Sequence, residues 1–526
     1  MKHIPVLIIG GSLVGLSASL FLSWRGVPNI VIEKHEGSAL HPRAIGFTER
    51  TMEYFAAVGL GDKIPQVAPG TRLRRAVVES LAGRWIRETE WTPDSAVPSR
   101  GDRVTPHTGA AIAQDKLEPI LRARAVELGS QLEQGIELIS FEQDADGVTA
   151  LVRSRRTGEE GSIRAAYLVA ADGASSGIRE TLGIAREGVG HLRTIHSVLF
   201  RCPEAEHFLE RGVQQFEIEQ AGLRAFLTSY GDGRWVLMRT DGQALNELEL
   251  APFIRTCLGQ DFAVDIITTG RWEMAGRIAE KYSEGRVFLA GDATHQLPPT
   301  RGGFGANTGI DDVWNLAWKL AMVVNGKSDP ALLDTYGAER RPIGWLRHQQ
   351  TFARPDYAKW LKSPIEPQSL FSDIAMELGQ LHRSAAVIGA AGDLAPAAHP
   401  DDWAGQPGVR APYLEMTGPT GRLSTLDVVG KEFTLFAEAS AWIEAAARVS
   451  AATGVPIVAV RIGKDADVNP DEFHLKFGIT SAGATLVRPD GIVGWRSPGG
   501  VPDAHAALSD ALHAIASLLG VWRKGR

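Results

Sequence analysis

Two aspartates in this chain of 526 residues follow short apolar runs and stand where they could bind a hydroxyl-rich cofactor. Asp172 follows the run Tyr167–Ala171, while Asp292 follows the run Arg286–Ala290 after one glycine and precedes a glycine-dense loop. A strand that delivers an acid to a tight turn beside a helix N-terminus suits a phosphorylated cofactor, because the carboxylate accepts hydrogen bonds from sugar or polyol hydroxyls. Each stretch alone could be a buried strand with an ordinary turn, so the prediction depends on its agreement with a third segment.

The third segment lies at the start of the chain. Pro5–Ile9 predicts a buried strand, Leu16–Trp24 a helix and Asn29–Ile32 a second strand, which ends on Glu33. The loop between the first strand and the helix contains Gly10, Gly11, Ser12 and Gly15. Strand, glycine loop, helix, strand and an acid about 20 residues beyond the turn form the dinucleotide-binding fingerprint, in which the acid holds ribose hydroxyls. Ser12 replaces the usual second glycine, but serine is small enough for the backbone to approach a pyrophosphate.

Other polar residues are candidates that also have a structural interpretation. Arg43 and Arg50 could contact a phosphorylated ligand or could be solvated surface charges. Gln114 opens a helical pattern and could face either the cofactor or solvent. His191 and His196 are more consistent with structural than with catalytic roles.

The composition favours a globular protein over a nucleic-acid-binding or membrane protein. Hydrophobic residues make up 44% and charged residues 22% of the chain, and the net charge of -7 gives no reason to expect nucleic acid or an anionic membrane as a partner. Cys202 and Cys257 have neither metal-type nor CxxC spacing, which predicts a reduced, cytoplasmic protein without a disulfide framework or a metal site. The uncharged stretch Ile4–Trp24 superficially resembles a signal peptide or membrane span, but Gly10 and Gly15 interrupt it at phosphate-loop spacing.

The remaining regions have distinct patterns. Residues 135–166 alternate like a β-meander, and residues 187–277 alternate like a mainly antiparallel sheet, a suitable place for a substrate pocket. We interpret residues 336–342 as the end of a helical region and residues 393–419 as a linker. The C-terminal part has the predicted order β-α-β-β-β-α, with a hairpin turn at Asp490-Gly491, which indicates a small α/β domain.

Taken in order, these segments resemble the single-component flavoprotein aromatic hydroxylases of the para-hydroxybenzoate hydroxylase fold. The resemblance covers nearly the whole chain and is strongest to the branch that hydroxylates aromatic polyketides and phenols. It implies an α/β fold with a Rossmann-like FAD-binding domain, an inserted antiparallel-sheet substrate domain and a C-terminal thioredoxin-like domain. The implied bounds are 1–70, 106–180 and 276–390 for the first, 71–105 and 181–275 for the second, and 391–526 for the third. The C-terminal domain lacks CxxC, so thiol–disulfide exchange is not expected of it.

The resemblance also assigns roles to the candidate residues. At the adenosine and pyrophosphate end of FAD, it implies Gly10, Gly11, Ser12 and Gly15 at the pyrophosphate, Glu33 at the ribose with Lys34 beside it, and Arg43 near the pyrophosphate and the nicotinamide approach. Gln114 is expected in a helix that touches the cofactor, and Asp172, Gly173 and Arg179 are expected to take part in binding of FAD and NADPH. At the flavin end, Asp292 is expected at the ribityl chain, and Pro298, Gly303, Gly305, Ala306 and Asn307 against the isoalloxazine.

The activity that the resemblance implies is hydroxylation of a phenolic or polycyclic aromatic substrate. NADPH or NADH would reduce FAD, O2 would form a C4a-hydroperoxide on the flavin, and the distal oxygen would pass to an electron-rich ring carbon. The protein would position the ring, exclude water and stabilise the reduced flavin with the helix N-terminus near Asn307. No residue is assigned as catalytic, and the resemblance is compatible with a homodimer. Baeyer–Villiger oxygenation of a polyketide ketone, dehydrogenation without oxygen transfer, and a non-catalytic flavin-binding role are the alternatives.

Overall fold

The structure is a computed structural model that describes residues 1–41, 44–68, 74–90, 103–239, 245–298, 304–363, 365, 369–419 and 421–518. Elements are numbered in chain order. None of the helices in these ranges is long and apolar enough to cross a membrane.

A mainly parallel sheet forms the first layer. Its strands are β1 (Lys2–Ile9), β2 (Asn29–Glu33), β7 (Gln131–Gln134), β8 (Ile136–Gln143), β9 (Val148–Ser154), β10 (Glu160–Ala170), β16 (Ser283–Glu284) and β17 (Val287–Leu289). The strand order is β16-β17-β10-β1-β2-β7, with β17, β10, β1, β2 and β7 parallel. β8, β9 and β10 pair antiparallel in succession, which confirms the meander predicted over 135–166.

Helices cover this sheet. They are α1 (Leu13–Trp24), α2 (Glu49–Ala57), α3 (Gln114–Glu127), α4 (Gly177–Thr181), α6 (Phe304–Val324) and α7 (Asp334–Ala353). α1 packs against both α3 and α6, and ten of its twelve residues are buried. The absence of charge from this stretch is therefore the signature of a helix enclosed by protein on nearly all sides. Residues 336–342 lie in the first half of α7, so the prediction that they end a helical region is wrong.

The second layer is a mainly antiparallel sheet. Its strands are β4 (Arg74–Val78), β5 (Trp85–Glu90), β11 (Arg186–Arg201), β12 (Gln215–Gln220), β13 (Leu223–Ser229), β14 (Arg234–Arg239), β15 (Asp265–Ala279) and β18 (His295–Gln296), in the order β18-β15-β11-β14-β13-β12-β4-β5. Among the described strands of this sheet, only β12 and β4 pair parallel. α5 (Glu247–Leu258) covers one face through an apolar cluster that includes Phe200, Trp235 and Ile254. The antiparallel sheet predicted over 187–277 is confirmed.

The C-terminal region builds a four-stranded sheet of its own. Its elements are β21 (Phe433–Ala437), α10 (Ser440–Thr453), β22 (Ile457–Arg461), α11 (Pro470–Phe477), β23 (Ala484–Val487), β24 (Val493–Ser497) and α12 (Ala504–Ala516). The order β22-β21-β23-β24, with only β21 and β22 parallel, is a thioredoxin-like arrangement. The hairpin around Asp490-Gly491 is confirmed, whereas α11 was absent from the predicted order. α11 is only eight residues long, and it begins with an Asn469 cap and Pro470.

The segment interpreted as a linker is packed against the rest of the chain. Trp403 and Val409 form a buried cluster with Leu381, and Arg410 pairs with Glu53 of α2. The shorter elements are β3 (Gly46–Phe47), β6 (Ala110–Ala111), α8 (Pro355–Ala358), α9 (Asp373–Leu378), β19 (Glu415–Gly418) and β20 (Gly421–Ser424). The interpretation of residues 393–419 as a linker is therefore wrong, since apolar and ionic contacts fix this segment in place.

Candidate active site

The three acid-bearing loops meet at one edge of the parallel sheet. Ile9 of β1 lies opposite Ile32 of β2 and Ala170 of β10, and Ala170 lies opposite Leu289 of β17. Because these four strands are parallel, the loops that follow them leave the sheet on the same side. The glycine loop, Glu33, Asp172 and Asp292 therefore surround the end of the sheet where an open α/β fold binds its ligand.

The glycine loop turns too tightly for side chains at two positions. Gly10 has a φ of +104°, and a Cβ on it would lie 2.3 Å from the carbonyl oxygen of Ala171. A Cβ on Gly15 would lie 1.8 Å from the carbonyl oxygen of Gly10. Ser12, the N-cap of α1, makes no side-chain capping bond, so its hydroxyl leaves the first N–H groups of the helix available. These N–H groups and the helix dipole form a site suited to a phosphate group.

Glu33 lies directly against the glycine loop. Its Oε2 accepts a hydrogen bond of 2.7 Å from the Gly11 N–H, and its Oε1 accepts one of 2.8 Å from the His35 N–H. The carboxylate is half-buried and keeps free lone pairs for ribose hydroxyls. Lys34 is exposed, and its carbonyl oxygen accepts from Arg155.

A buried polar group on α3 supports the loop from the other side. Gln114 donates through Nε2 to Ser12 Oγ at 2.9 Å and to Glu118 Oε1 at 2.8 Å, while the Ser12 hydroxyl donates to Glu118 Oε1 at 2.6 Å. Gln114 is 5% exposed, so the solvent-facing alternative is wrong for it. Its Oε1 accepts from the Ala44 N–H, next to Arg43, which lies outside the described residues. Sequence reasoning missed Glu118, although a polar residue four positions after Gln114 on an otherwise apolar helix face was a usable signal.

The second acid carries an unsatisfied oxygen. Asp172 Oδ2 accepts from the Ile178 N–H at 3.3 Å, whereas the buried Oδ1 has no hydrogen-bond partner in the part of the chain that the structure describes. Burial raises the pKa of this carboxyl, and the Ser176 hydroxyl counteracts part of that effect. Since buried polar atoms almost always have a partner, a hydroxyl of a bound cofactor fits this position.

Arg179 joins the second and third loops instead of pointing into open space. Its guanidinium is buried and donates to the carbonyl oxygens of Ala174 and Ala293, both at 3.3 Å. Gly173, at the turn after Asp172, has a φ of +86° and open space where a Cβ would be. A contact between Arg179 and a nicotinamide cofactor stays a prediction.

The third loop and the start of α6 leave an open space for a flat ring. Asp292 is half-buried in a short 3-10 turn, and Pro298 is buried. Gly305 and Ala306 in the first turn of α6 are half-buried, and a Cβ on Gly305 would find no atom within 4 Å. Gly303 lies outside the described residues. The donor set, the open turn and the unpaired Asp172 oxygen together fit FAD.

Asn307 fixes the first turn of α6 to the N-terminal part of the chain. Its Oδ1 accepts from the Thr48 N–H at 3.1 Å and from the Thr51 hydroxyl at 2.6 Å, and its Nδ2 donates to the Gly46 carbonyl at 3.2 Å. These bonds hold β3 and the start of α2 next to Gly305 and Ala306. The side chain of Asn307 thus supports the turn, while its backbone remains in the turn that would face the isoalloxazine.

A buried ionic group behind Asp292 was not anticipated from the sequence. Asp312 of α6 accepts from the Gly291 N–H at 3.2 Å, from His295 Nε2 at 2.7 Å and from Arg340 Nε at 2.9 Å. Arg340 also pairs with Asp311. Asp312, His295 and Arg340 are fully buried. Burial alone would raise the pKa of Asp312, but His295 and Arg340 outweigh it and hold this pKa below its usual value. The carboxylate therefore ties the Asp292 loop to two helices.

One face of the antiparallel sheet is turned toward this edge. Gly270, Ser197, Met238, Phe226 and Glu217 lie directly opposite one another on five adjacent strands. Directly opposed residues of a sheet share a face. A Cβ on Gly270 would lie 3.3 Å from Cδ2 of His41, so the Gly270 end of this row faces the segment that leads to Arg43. Met238, Phe226 and Glu217 are half-buried, and Arg75 of β4 covers part of the last two: it pairs with Glu217 at 2.8 Å and lies 5.3 Å from the centre of the Phe226 ring. The remaining surface suits contact with a ligand. We call these five residues the sheet row.

The other face of the antiparallel sheet carries a cavity. Val198 and Leu237 alternate with the sheet row and pack toward α5, and beside them is a cavity of about 210 Å³. His196 lines this cavity, and His191 is exposed, so neither histidine lies at the cofactor edge. Most of the lining residues lie on the face toward α5, and Ser197 and Gly270 of the sheet row also border the cavity.

Comparison with known proteins agrees with the geometry. Residues 3–351 match the family model described as an FAD binding domain, and residues 404–517 match the one described as the C-terminal region of aromatic-ring hydroxylases. The chain is 38% identical to 4-methyl-5-nitrocatechol 5-monooxygenase from a Burkholderia species, over 98% of this chain and 97% of that protein. It is 39% identical to a putative polyketide hydroxylase from Streptomyces halstedii, over 98% of each.

A solved structure gives the same result for the fold. The ternary complex of aklavinone-11 hydroxylase with FAD and aklavinone superposes with a TM-score of 0.87 at 33% identity, covering 98% of this chain and 99% of that one. The loops at the sheet edge, the inserted sheet and the C-terminal domain thus occur together in a flavin-dependent hydroxylase. On these matches the chain belongs to the FAD-dependent aromatic-ring hydroxylases.

Proposed function

We propose that this monooxygenase hydroxylates a phenolic ring within a polycyclic, polyketide-like substrate, and that the ring lies between the first turn of α6 and the sheet row. The main support for the proposal is the position of the sheet row, whose Gly270 end faces the cofactor edge. The row combines an aromatic ring, a thioether, a hydroxyl and a carboxylate. Five strands about 4.8 Å apart give a row roughly 19 Å long, which is enough for several fused rings.

The proposed FAD site follows the three loops. The N–H groups at the start of α1 would bind the pyrophosphate, Glu33 the adenosine ribose and Asp292 the ribityl hydroxyls, with Asp172 Oδ1 accepting a further hydroxyl. Gly305 and Ala306 would lie against the flavin ring, because glycine and alanine there leave room for it. We assign residues 1–70, 106–180 and 276–390 to this FAD-binding domain, residues 71–105 and 181–275 to the substrate domain and residues 391–526 to the third.

Bound FAD, reduced by NADPH or NADH, would activate O2 so that one oxygen atom enters the aromatic ring and the other leaves as water. The chain contributes placement and electrostatics. The N–H groups at the start of α6 carry partial positive charge, which stabilises the negative charge of the reduced cofactor. Phe226 and Met238 would pack against the substrate ring and exclude water, which protects the activated oxygen from release as peroxide.

The first test is an anaerobic absorbance titration of the purified protein with NADPH and then NADH. We expect oxidised flavin bands that bleach, faster when a polycyclic phenol is present. Turnover under 18O2 then identifies the product: a labelled ring hydroxyl supports the proposal, a labelled ester oxygen favours Baeyer–Villiger chemistry, and oxidation without label favours dehydrogenation. If NADPH does not bleach the flavin in the presence of any candidate substrate, a non-catalytic role is favoured.

Variants of the sheet row test the location of the substrate. Phe226→Ala should raise the amount of peroxide released per NADPH consumed, because water gains access to the reacting oxygen. Leu248→Ala is the matched control, since Leu248 is 88% exposed on α5 at the opposite face. If both variants and the wild-type enzyme release the same amount of peroxide per NADPH consumed, the substrate lies elsewhere.

A further inference from the structure

The turn Arg488–Gly491 of the C-terminal domain is inserted among the helices that surround the proposed flavin site. The carbonyl oxygen of Pro489 accepts a hydrogen bond from Arg25 Nη2 at 2.9 Å, just after α1. The carbonyl oxygen of Asp490 accepts from Trp314 Nε1 of α6 at 3.0 Å and from Arg50 Nη2 of α2 at 3.3 Å. One hairpin turn therefore contacts three elements that line the cofactor edge.

The side chains of the turn complete a buried network of two positive and two negative charges. Arg488 donates to Glu339 Oε1 at 2.7 Å and Oε2 at 2.8 Å, and its Nε donates to Asp490 Oδ1 at 3.0 Å. Lys319 Nζ donates to Glu339 Oε2 at 3.1 Å. Asn315 Nδ2 joins the two acids, donating to Glu339 Oε2 at 2.7 Å and Asp490 Oδ2 at 3.0 Å. All five residues are at most 2% exposed.

Such a network is an inefficient way to gain stability. Apolar residues of similar volume commonly replace a buried ion pair at no cost or with a gain, because the pair must first lose its hydration. Ionic groups instead fix the relative position of the elements that carry them, because their hydrogen bonds form in one arrangement only. A rotation or axial shift of α6 would separate Asn315 from both acids and Lys319 from Glu339, and would leave buried charges unpaired.

α6 connects this network to the flavin site. Asn315 lies eight residues after Asn307, which is about 12 Å along the helix at 1.5 Å per residue. Between them, Asp312 holds the Gly291 N–H of the Asp292 loop. The same rigid helix thus carries the turn beside the proposed ring position, the contact to the ribityl loop and the contacts to the C-terminal domain.

We propose that Arg488 and Asp490 are positioning residues for the flavin: through Asn315, Lys319 and Glu339 they fix α6, and thereby the distance of Gly305 and Ala306 from the isoalloxazine. The inference rests on the proposed FAD site. It also gives the C-terminal domain a role that requires no thiol, since the two cysteines of the chain, Cys202 and Cys257, lie in the antiparallel-sheet region.

The test compares Asp490→Asn and Arg488→Met with Arg422→Met in the full-length protein. Arg422 also pairs with an acid of the C-terminal domain, Glu415, but is 82% exposed. We expect the first two variants to bind FAD between about 5 and 150 times more weakly, which is the change in affinity that typical coupling free energies produce. In FAD-saturated protein their flavin reduction potential and visible bands should shift, which a loss of stability alone would not cause. Arg422→Met should match the wild type in all three measurements.

A measurement on the unmodified protein covers the case in which the variants do not fold. Coupling is reciprocal, so FAD should slow hydrogen exchange of the β23 and β24 amides as well as those of α6. The inference is wrong if Asp490→Asn and Arg488→Met fold and keep the wild-type FAD affinity and flavin reduction potential. It is also wrong if FAD does not change the rate of hydrogen exchange in β23 and β24. Asp292→Ala separates this failure from a misplaced FAD site: if it too leaves FAD affinity unchanged, the site itself is wrong.

Discussion

Replacement of Asp312 by asparagine perturbs the buried ionic group behind the Asp292 loop. The substitution keeps the shape and one acceptor oxygen but replaces the other oxygen with an NH2 group. Because Arg340 approaches Oδ1 while His295 and Gly291 approach Oδ2, the new NH2 group must face a donor whichever way the amide is turned. The Arg340 guanidinium also loses one of its two carboxylate partners in a fully buried position.

The expected loss of unfolding free energy is about 3–5 kcal/mol, the range for removing one partner of a buried ion pair. Asp312 and Arg340 have no exposed surface, so solvent does not screen the interaction. Asp144→Asn is the matched control, because Asp144 also pairs with an arginine, Arg164, but at the surface. Exposed pairs contribute little to stability, so this variant should unfold like the wild type.

The assay is urea unfolding of the apoprotein followed by tryptophan fluorescence, with the FAD content of each purified variant measured in parallel. Asp312→Asn should unfold at a lower urea concentration and retain less FAD, because the Gly291 N–H that anchors the Asp292 loop loses its charged acceptor. In a double-mutant cycle, the separate losses of Asp312→Asn and Arg340→Met should add to more than the loss in the double variant, since both break the Asp312–Arg340 pair, while Arg340→Met also removes the pair with Asp311. Equal midpoints for Asp312→Asn and Asp144→Asn, or fully additive losses, would refute the network as described.

Three further predictions concern the glycine loop, the ribityl acid and acid stability. Gly15→Ala should abolish tight FAD binding, because its Cβ would lie 1.8 Å from the Gly10 carbonyl oxygen, whereas Gly161→Ala, with open space at that position, should bind FAD normally in equilibrium dialysis. Asp292→Ala should weaken FAD binding by about 1.5–3 kcal/mol, the scale for hydrogen bonds to charged groups, and wild-type occupancy would show that the ribityl chain lies elsewhere. Burial would raise the pKa of Glu53, but Arg410 and Arg50 lower it to about 2, so its stabilising contribution is complete above about pH 4.5 and is lost as the pH falls toward 2. Glu53→Gln should remove this part of the acid dependence in a series of thermal unfolding curves, and an unchanged pH profile would contradict the assignment.

The features predicted correctly from the sequence are those that local patterns determine. Period-two and apolar runs gave the strands, glycines marked the turns that require a positive φ or a close approach, and parallel connectivity then brought the acids together at one edge. Pro342 illustrates the limit of such rules. It is the last residue of the stretch 336–342, which was interpreted as the end of a helical region. α7 nevertheless continues to Ala353, because the apolar residues after the proline are buried and outweigh the local preference.

The features that could not be predicted depend on partners distant in the sequence. Asp490-Gly491 was correctly predicted as a hairpin turn, but nothing local indicates that Asp490 bonds to Asn315, 175 positions earlier. Asp312 and Arg340 follow ordinary helical patterns, and either could have been a solvated charge. Which of many charges pair inside a protein is settled by the packing of whole elements, so a single sequence contains no direct signal for it.

The distribution of residue types around α6 suits the flavin position that we propose. At that position the helix presents glycine and alanine, which cannot hold a ring in place by themselves. Charged or amide groups elsewhere on α6 fix the helix instead. Asn307 bonds to the start of α2 and Asp312 to the Asp292 loop, while Asn315 and Lys319 join the buried network with the C-terminal domain. Precision at the ring must then come from residues that never touch it. It follows that changes of substrate range should be sought in the sheet row, while changes in the buried groups of α6 should alter flavin affinity and potential for every substrate alike.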